Sequence, residues 1–328
     1  MPFLAAHVLD RANEWLVHRR LSGRLPPHSG KSIAEHLGAL GDAVHPSPGS
    51  LPRLQPVCRE HGEWKAASPW PGAEGRNADW YAERFVGYGS RPGIDSLPAG
   101  AAVILLPGWL VDRPQLLIYR SWARRAAARG IDVWIPTLPH HLKRAEADEV
   151  SGQRALSPEL STSLDAVRQA VAETRLLAAW LRRNGATSVG VWGMSLGAWV
   201  AALAATLDAG WDAVALWAPI ASPAEVLFES GLAKLLRAAV VEGGLSPEDL
   251  TAPEVAPMTP ARRTVMVPRS KVLVIAGVYD QVVSPSSIVR MARRWNVDVR
   301  WVPHGHISLI ASRAPVRDTV DFFEKTLL

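Results

Sequence analysis

Residues 189–207 read VGVWGMSLGAWVAALAATL. Val189 to Trp192 is a short apolar run of the kind a buried strand makes, and Ser195 to Leu207 is a helix-forming run. Between them lies Gly193-Met194-Ser195-Leu196-Gly197, the pattern G-x-S-x-G. A strand that must become a helix within a residue or two forces the serine into a strained backbone conformation, and small flanking residues remove the clashes. Such a turn presents the Ser195 hydroxyl at the C-terminal edge of a sheet. The amide of Leu196, at the helix start, then faces an oxyanion developing beside that hydroxyl. The pattern alone is weak; the strand before it and the helix after it give it weight. The competing reading is that Gly193 and Gly197 merely let a strand and a helix pack closely.

The same alternation extends on both sides. Strands are expected at 101–106, 131–135, 189–192, 213–217, 272–276 and 297–302, and helices at 114–129, 164–184, 195–207, 285–295 and 314–327. This rhythm implies an α/β fold: a mostly parallel, doubly wound sheet with helices on both faces. Period-two stretches at 57–66 and 80–88 imply an antiparallel edge. Residues 1–21 read as a helix, and 22–56, with Pro26, Pro27, Pro46, Pro48, Pro52 and Pro56, as an irregular connector holding a short helix near 31–40. The division expected is therefore an N-terminal extension, 1–56, and a main domain, 57–328. Residues 219–268 interrupt the rhythm on the catalytic edge and carry an apolar helical face (Val226, Leu227, Phe228, Leu232, Leu235 and Leu236), as a helical cap would.

Composition bounds the function. The chain has 328 residues, 48% of them hydrophobic and 20% charged, with a net charge of +5. The basic residues come as short pairs (Arg19-Arg20, Arg124-Arg125, Arg182-Arg183 and Arg293-Arg294) without interleaved aromatics, so a nucleic-acid partner is not expected. The single cysteine, Cys58, cannot form an internal disulfide, which fits a reducing, cytoplasmic location. Asp10, Arg11 and Glu14 interrupt the first apolar stretch, which argues against a signal peptide, and no run reaches the roughly 18 apolar residues of a membrane span. Leu4, Val8, Ala12, Trp15 and Leu16 share a helical face expected to pack on the chain's own domain.

Three further loops hold candidate residues. Asp280 follows a strand beyond its C-terminal end, where ligands of open parallel sheets sit, with Gly277 providing the turn; as a helix cap it would compete with the nearer Ser284. His304 and His306 both follow the last strand. Gly305 gives the loop freedom to bring His306 inward, which leaves His304 to line a pocket. His140 and His141 also follow a strand, as pocket-lining or surface residues. Adjacent histidines seldom share an ion and no carboxylate or cysteine cluster completes a site, so no metal is expected.

The order of these motifs resembles the α/β-hydrolase superfamily over residues 100–328. Leu105-Leu106-Pro107-Gly108-Trp109 is similar to its oxyanion loop, with Pro107 where histidine is usual. Val274 to Asp280 is similar to its acid turn and Pro303-His304-Gly305-His306 to its histidine loop. The resemblance implies Ser195 as nucleophile, Asp280 as acid and His306 as base, in the family's chain order. It also implies an oxyanion hole from the amides of Leu196 and of Trp109 or Leu110. Gly108, Leu110, Met194, His140 and His304 are the candidate substrate contacts. The expected activity is hydrolysis of a small-molecule carboxylic ester or thioester through an acyl-enzyme, with no cofactor. An acyltransferase using the same acyl-enzyme, and a non-catalytic binding module on the same fold, stay open beside it.

Overall fold

Ala101 to Leu106 form a continuous apolar run because both faces of their strand are covered: Ala102, Ile104 and Leu106 enter one core, Ala101, Val103 and Leu105 the other. The computed structural model describes residues 2–26, 32–59, 62–88 and 100–328. Residue 1 of the expected first helix, residues 27–31 of the expected connector (Pro27 among them) and residues 60–61 of the first expected edge strand lie outside the described residues.

The strands are β1 (Val57–Cys58), β2 (Glu63–Ala67), β3 (Asp79–Phe85), β4 (Gly100–Leu106), β5 (Asp132–Pro136), β6 (Ala186–Met194), β7 (Ala213–Trp217), β8 (Val272–Gly277) and β9 (Val299–Val302). They form one sheet of nine in the order β1-β2-β3-β5-β4-β6-β7-β8-β9. β1 to β3 are the antiparallel edge, and β3 runs antiparallel to β5. From β5 to β9 all pairings are parallel. The chain leaves β4 toward β5 on one side and returns as β6 on the other, so a crevice opens beyond the C-terminal ends of β4 and β6.

The longer helices are α1 (Pro2–Leu21), α2 (Ile33–Leu40), α3 (Arg113–Ala127), α4 (Leu160–Arg183), α5 (Leu196–Ala205), α6 (Pro223–Glu229), α7 (Lys234–Glu242), α8 (Pro285–Trp295), α9 (His306–Ile310) and α10 (Arg313–Leu327). Helices α4, α5 and α8 cover one face of the sheet, α3 and α10 the other. The last strand starts two residues later than its apolar pattern suggested, because Asn296, at φ 53°, ends α8 in the left-handed conformation. α9 was not foreseen; its five residues are too few to show a period.

Two expectations change. The face of α1 that packs inward is Ala6, Asp10, Val17 and Leu21, whereas Leu4, Val8, Ala12, Trp15 and Leu16 are largely exposed. Asp10 is held inward because the backbone amides of Gln281, His306 and Ile307 satisfy its carboxylate, and the rest of the helix keeps that register. The extension also shares the main core: Ile33, Leu37, Val44 and Leu54 pack with α4. Arg168 Nε donates to the Val44 carbonyl at 2.6 Å, and His45 Nε2 lies 2.9 Å from the Pro257 carbonyl.

Burial, as the largest influence, pushes His45 and His141 down to about 4. Above pH 6.5 both states are neutral there. As pH falls from 6.5 toward 4, only the unfolded chain takes up these protons, so stability declines by about 1.4 kcal/mol per pH unit per histidine. The urea midpoint is therefore expected to fall between pH 7 and pH 5, and to fall less in His45→Gln, whose amide can keep the Pro257 contact without titrating. An identical decline in the variant would show that His45 does not take part.

Candidate active site

β6 ends at Met194 and α5 begins at Leu196, which leaves Ser195 alone to make the turn, at φ 54° and ψ −114°. A non-glycine residue rarely adopts this conformation, and it persists only where its surroundings impose it. Here they do. A Cβ on Gly197 would lie 2.1 Å from the Leu106 carbonyl oxygen, and one on Gly193 would lie 2.3 Å from that of Gly197. The glycines therefore serve close packing, and the same packing forces the turn. The Ser195 amide donates to the Trp217 carbonyl at 2.9 Å, and the side chain is nearly buried.

Asp280 sits in the turn after β8. One carboxylate oxygen accepts from the amides of Val282 and Val283, both at 2.8 Å; the other lies 2.8 Å from His306 Nδ1. It does not cap α8, whose N-cap is Ser284. His306 opens α9 with Nε2 2.9 Å from Ser195 Oγ. With Nδ1–H donated to the carboxylate, Nε2 is left to accept the serine proton. Burial, the largest influence on His306, favours the neutral ring; Asp280, and Asp10 beyond it, outweigh it and raise its pKa above the ordinary 6.5.

Gly305 plays a different part from the one its flexibility suggested. Its φ is −87°, which any residue adopts, but a Cβ there would lie 2.6 Å from Asp10 Oδ2. Asp10, on α1, accepts from the amides of His306 at 3.0 Å, Ile307 at 2.9 Å and Gln281 at 3.3 Å. Sequence reading missed it, although a carboxylate set between Ala6 and Val17 on one helical face was a signal.

A cavity of about 270 Å³ opens beside Ser195 and His306. Its walls are mainly apolar. Asn13, Leu16 and Val17 of α1 close one side, and Val226, Leu232 and Leu236 of the 219–268 segment close another. Leu156, from a connection with no assigned role in the sequence, contributes too. A second cavity of about 80 Å³ shares Leu156, Ile220, Val226 and Leu236 with the first. Of the 14 tryptophans only Trp109 lines the main cavity; Trp64, Trp122, Trp134, Trp192 and Trp217 build the cores instead.

Gly108, Trp109 and Leu110 all line the main cavity. The Gly108 amide donates to the Tyr119 hydroxyl at 3.0 Å, and Trp109 Nε1 donates to the Gly152 carbonyl at 2.7 Å. Tyr119 is pushed up to about 12, chiefly by burial, so it stays neutral. Among the described residues the Trp109 amide has no protein acceptor. As the first amide of α5, that of Leu196 lacks an intrahelical one.

Three candidate contacts fall elsewhere. Met194 lies wholly in the core beside Trp192 and Trp217, because strand alternation turns it to the other face. His140, at φ 60°, turns toward Asn77, whose side-chain oxygen accepts from its amide at 3.3 Å. His304 gives the loop its carbonyl, which accepts from the Tyr279 amide at 3.1 Å, and its side chain does not line the cavity. Among the described residues there is no group of three His, Cys, Asp or Glu side chains fit to hold a metal, and no helix long and apolar enough to cross a membrane.

No protein-family model matches the chain. An uncharacterized protein of Mycobacterium tuberculosis, from two strains, is 28% identical over 212 residues, covering 62% of this chain and 48% of the relative. The chain thus spans about half the length of the curated relatives it matches. Among solved structures, an acetyl xylan esterase from a Paenibacillus species is 13% identical with a TM-score of 0.55, covering 94% of this chain and 99% of that one. Brefeldin A esterase, a bacterial homologue of human hormone sensitive lipase, is 16% identical with a TM-score of 0.51, covering 92% and 87%. A puromycin-hydrolyzing peptidase of Mycobacterium tuberculosis is 15% identical with a TM-score of 0.56, covering 84% and 39%. The chain has the α/β-hydrolase fold.

The tight crossing at Gly197 has a measurable consequence. Gly197→Ala is expected to cost about 3 kcal/mol, near the upper end of overpacking effects, because backbone rather than a mobile side chain must give way. Gly210→Ala, where a Cβ meets nothing within 4 Å, is the control and should leave the urea midpoint nearly unchanged. Equal midpoints for the two variants would show that the crossing is not tight.

Proposed function

We propose that the chain is a serine hydrolase that cleaves carboxylic esters or thioesters of apolar small molecules. The observation that carries this reading is the unbroken hydrogen-bonded line from Asp280 through His306 to Ser195 at the base of an apolar cavity. Known structures of the same fold that are esterases support it at the level of the reaction class. Ser195 Oγ attacks the acyl carbon while its proton passes to His306 Nε2. The carbonyl electrons move onto oxygen, which the amides of Leu196 and Trp109 receive. Asp280 holds the ring tautomer and stabilises the imidazolium. On collapse the C–O or C–S bond breaks, and the leaving group takes the proton from His306. Water then repeats the sequence on the acyl-enzyme and returns the free serine.

Leu16, Val17, Val226 and Leu236 favour an apolar group in the cavity by removing it from water. The substrate is thus expected to be uncharged where it enters this cavity.

Turnover of p-nitrophenyl esters of increasing chain length tests the reading. Ser195→Ala and His306→Ala should each lower kcat by about 10⁴-fold or more, and Asp280→Asn by about 10³- to 10⁴-fold. His304→Ala should keep most of it. Retained turnover in purified Ser195→Ala would end the hydrolase reading.

The base must be neutral to accept the proton. kcat/KM should therefore be low in acid and rise with pH through an apparent pKa above 6.5, the direction in which Asp280 and Asp10 move His306. An acid limb that survives unchanged when His306 is replaced, or no acid limb in the histidine range at all, would contradict the assigned base.

A further inference from the structure

α1 lies along the catalytic edge and meets, in order, the acid turn, the histidine loop, the 219–268 segment and the end of the loop after β4. Phe3 packs edge-on against Tyr279, with ring centroids 5.2 Å apart, next to Asp280. Asp10 holds the histidine loop. His18 Nε2 lies 3.1 Å from the Gly231 carbonyl in the 219–268 segment. Arg20 pairs with Asp112 at 2.6 Å, beside the loop of Gly108 and Trp109.

Asp10 is the unusual member of this series. Only 3% exposed, it is a carboxylate on a face otherwise made of Ala6, Val17 and Leu21. A buried carboxylate is costly unless its oxygens are satisfied. Its donors are backbone amides, two of which are the first amides of α9, where helices leave N–H groups unpartnered. Gly305, at the N-cap position, has no side chain to satisfy them and leaves room for Asp10 to do so. The cap thus comes from 296 residues earlier in the chain.

We propose that Asp10 is a positioning residue of the active site: by accepting the amides of His306 and Ile307 it holds the histidine loop in register with Ser195 and Asp280, which makes α1 an integral part of the catalytic apparatus. This rests on the hydrolase reading above. The charge acts in the same place. Of the titratable groups on the elements packed against His306, Asp280 from the turn after β8 and Asp10 from α1 act on the ring; His7 and Glu14 also lie on α1, and Tyr279 and His304 on the adjoining loops. Asp280 and Asp10 raise the proton affinity of the ring, so removal of the Asp10 charge lowers it.

The test uses the full chain with Asp10→Asn, Asp10→Ala and Gly305→Ala, with Ser195→Ala in parallel and a fluorophosphonate probe to count competent sites. Asp10→Asn keeps the size and removes the charge. It is expected to lower kcat per competent site roughly 10- to 100-fold, the scale of a misplaced catalytic group, with KM nearly unchanged. The acid limb of kcat/KM should move to lower pH. Gly305→Ala keeps the Asp10 residue and its charge but displaces its carboxylate from the loop amides, and should lower kcat in the same manner, so the proposal stays testable if the Asp10 variants fold poorly. Wild-type kcat per competent site and an unmoved acid limb in Asp10→Asn and Gly305→Ala, while Ser195→Ala is inactive, would overturn it. If Asp10→Asn and Asp10→Ala lose activity only in proportion to lost competent sites, α1 is merely structural and the proposal is equally overturned. Full turnover in Ser195→Ala would instead remove the hydrolase reading beneath it.

Discussion

The site depends on one steric constraint, the contact of α5 with the end of β4. Gly197 lies so near the carbonyls of Leu106 and Pro107 that no Cβ fits. A helix that close to the neighbouring strand leaves one residue for the turn out of β6, and Ser195 takes a conformation it would not choose alone. The strain is held by the cores on both sides, where β6, β7 and α5 are almost wholly buried. The first amide of α5 and the loop after β4 are brought to the same point by that contact. The meeting of that amide with the loop and the backbone strain at Ser195 thus have one cause.

Around this fixed point two carboxylates act on the same histidine in different ways. Asp280 holds the imidazole through Nδ1, while Asp10 holds the backbone to which it is attached. Each is buried and each is satisfied by neighbouring N–H groups. Neither must be repaid by a cation, so both charges remain available to bias the ring between them.

The sheet and the residues beside Ser195 were legible because their signals are local. Apolar runs such as 101–106 reveal strands buried on both faces, and a glycine on each side of Ser195 reveals a forced turn. Asp280 and His306 were set beside Ser195 by the resemblance to the α/β-hydrolase superfamily and by their places after strands, and the structure brings the three side chains within hydrogen-bonding distance. What was not legible is non-local. The inward face of α1 is Ala6, Asp10, Val17 and Leu21, and nothing within α1 announces that the histidine loop supplies N–H groups for Asp10. By hydrophobicity alone the face bearing Trp15 and Leu16 was the better candidate. Tyr119 was hidden for the same reason, since its partner is a backbone amide on a preceding loop. Composition does not say which of the 14 tryptophans are core; rings such as Trp122 and Trp192, stacked 5.1 Å apart, fill it where large flat side chains exclude space best.

α1 joins two tasks that the sheet keeps apart. Its Leu16 and Val17 wall the cavity, while Asp10, two turns earlier, holds His306. A helix of this length moves as a body over one or two turns, because its own hydrogen bonds resist local stretching. The exposed apolar side chains of Leu4, Val8 and Trp15 lie on the outer face of the same helix. The wall of the cavity at Leu16 and the anchor of the histidine loop at Asp10 thus share one stiff element, so neither is built independently of the other.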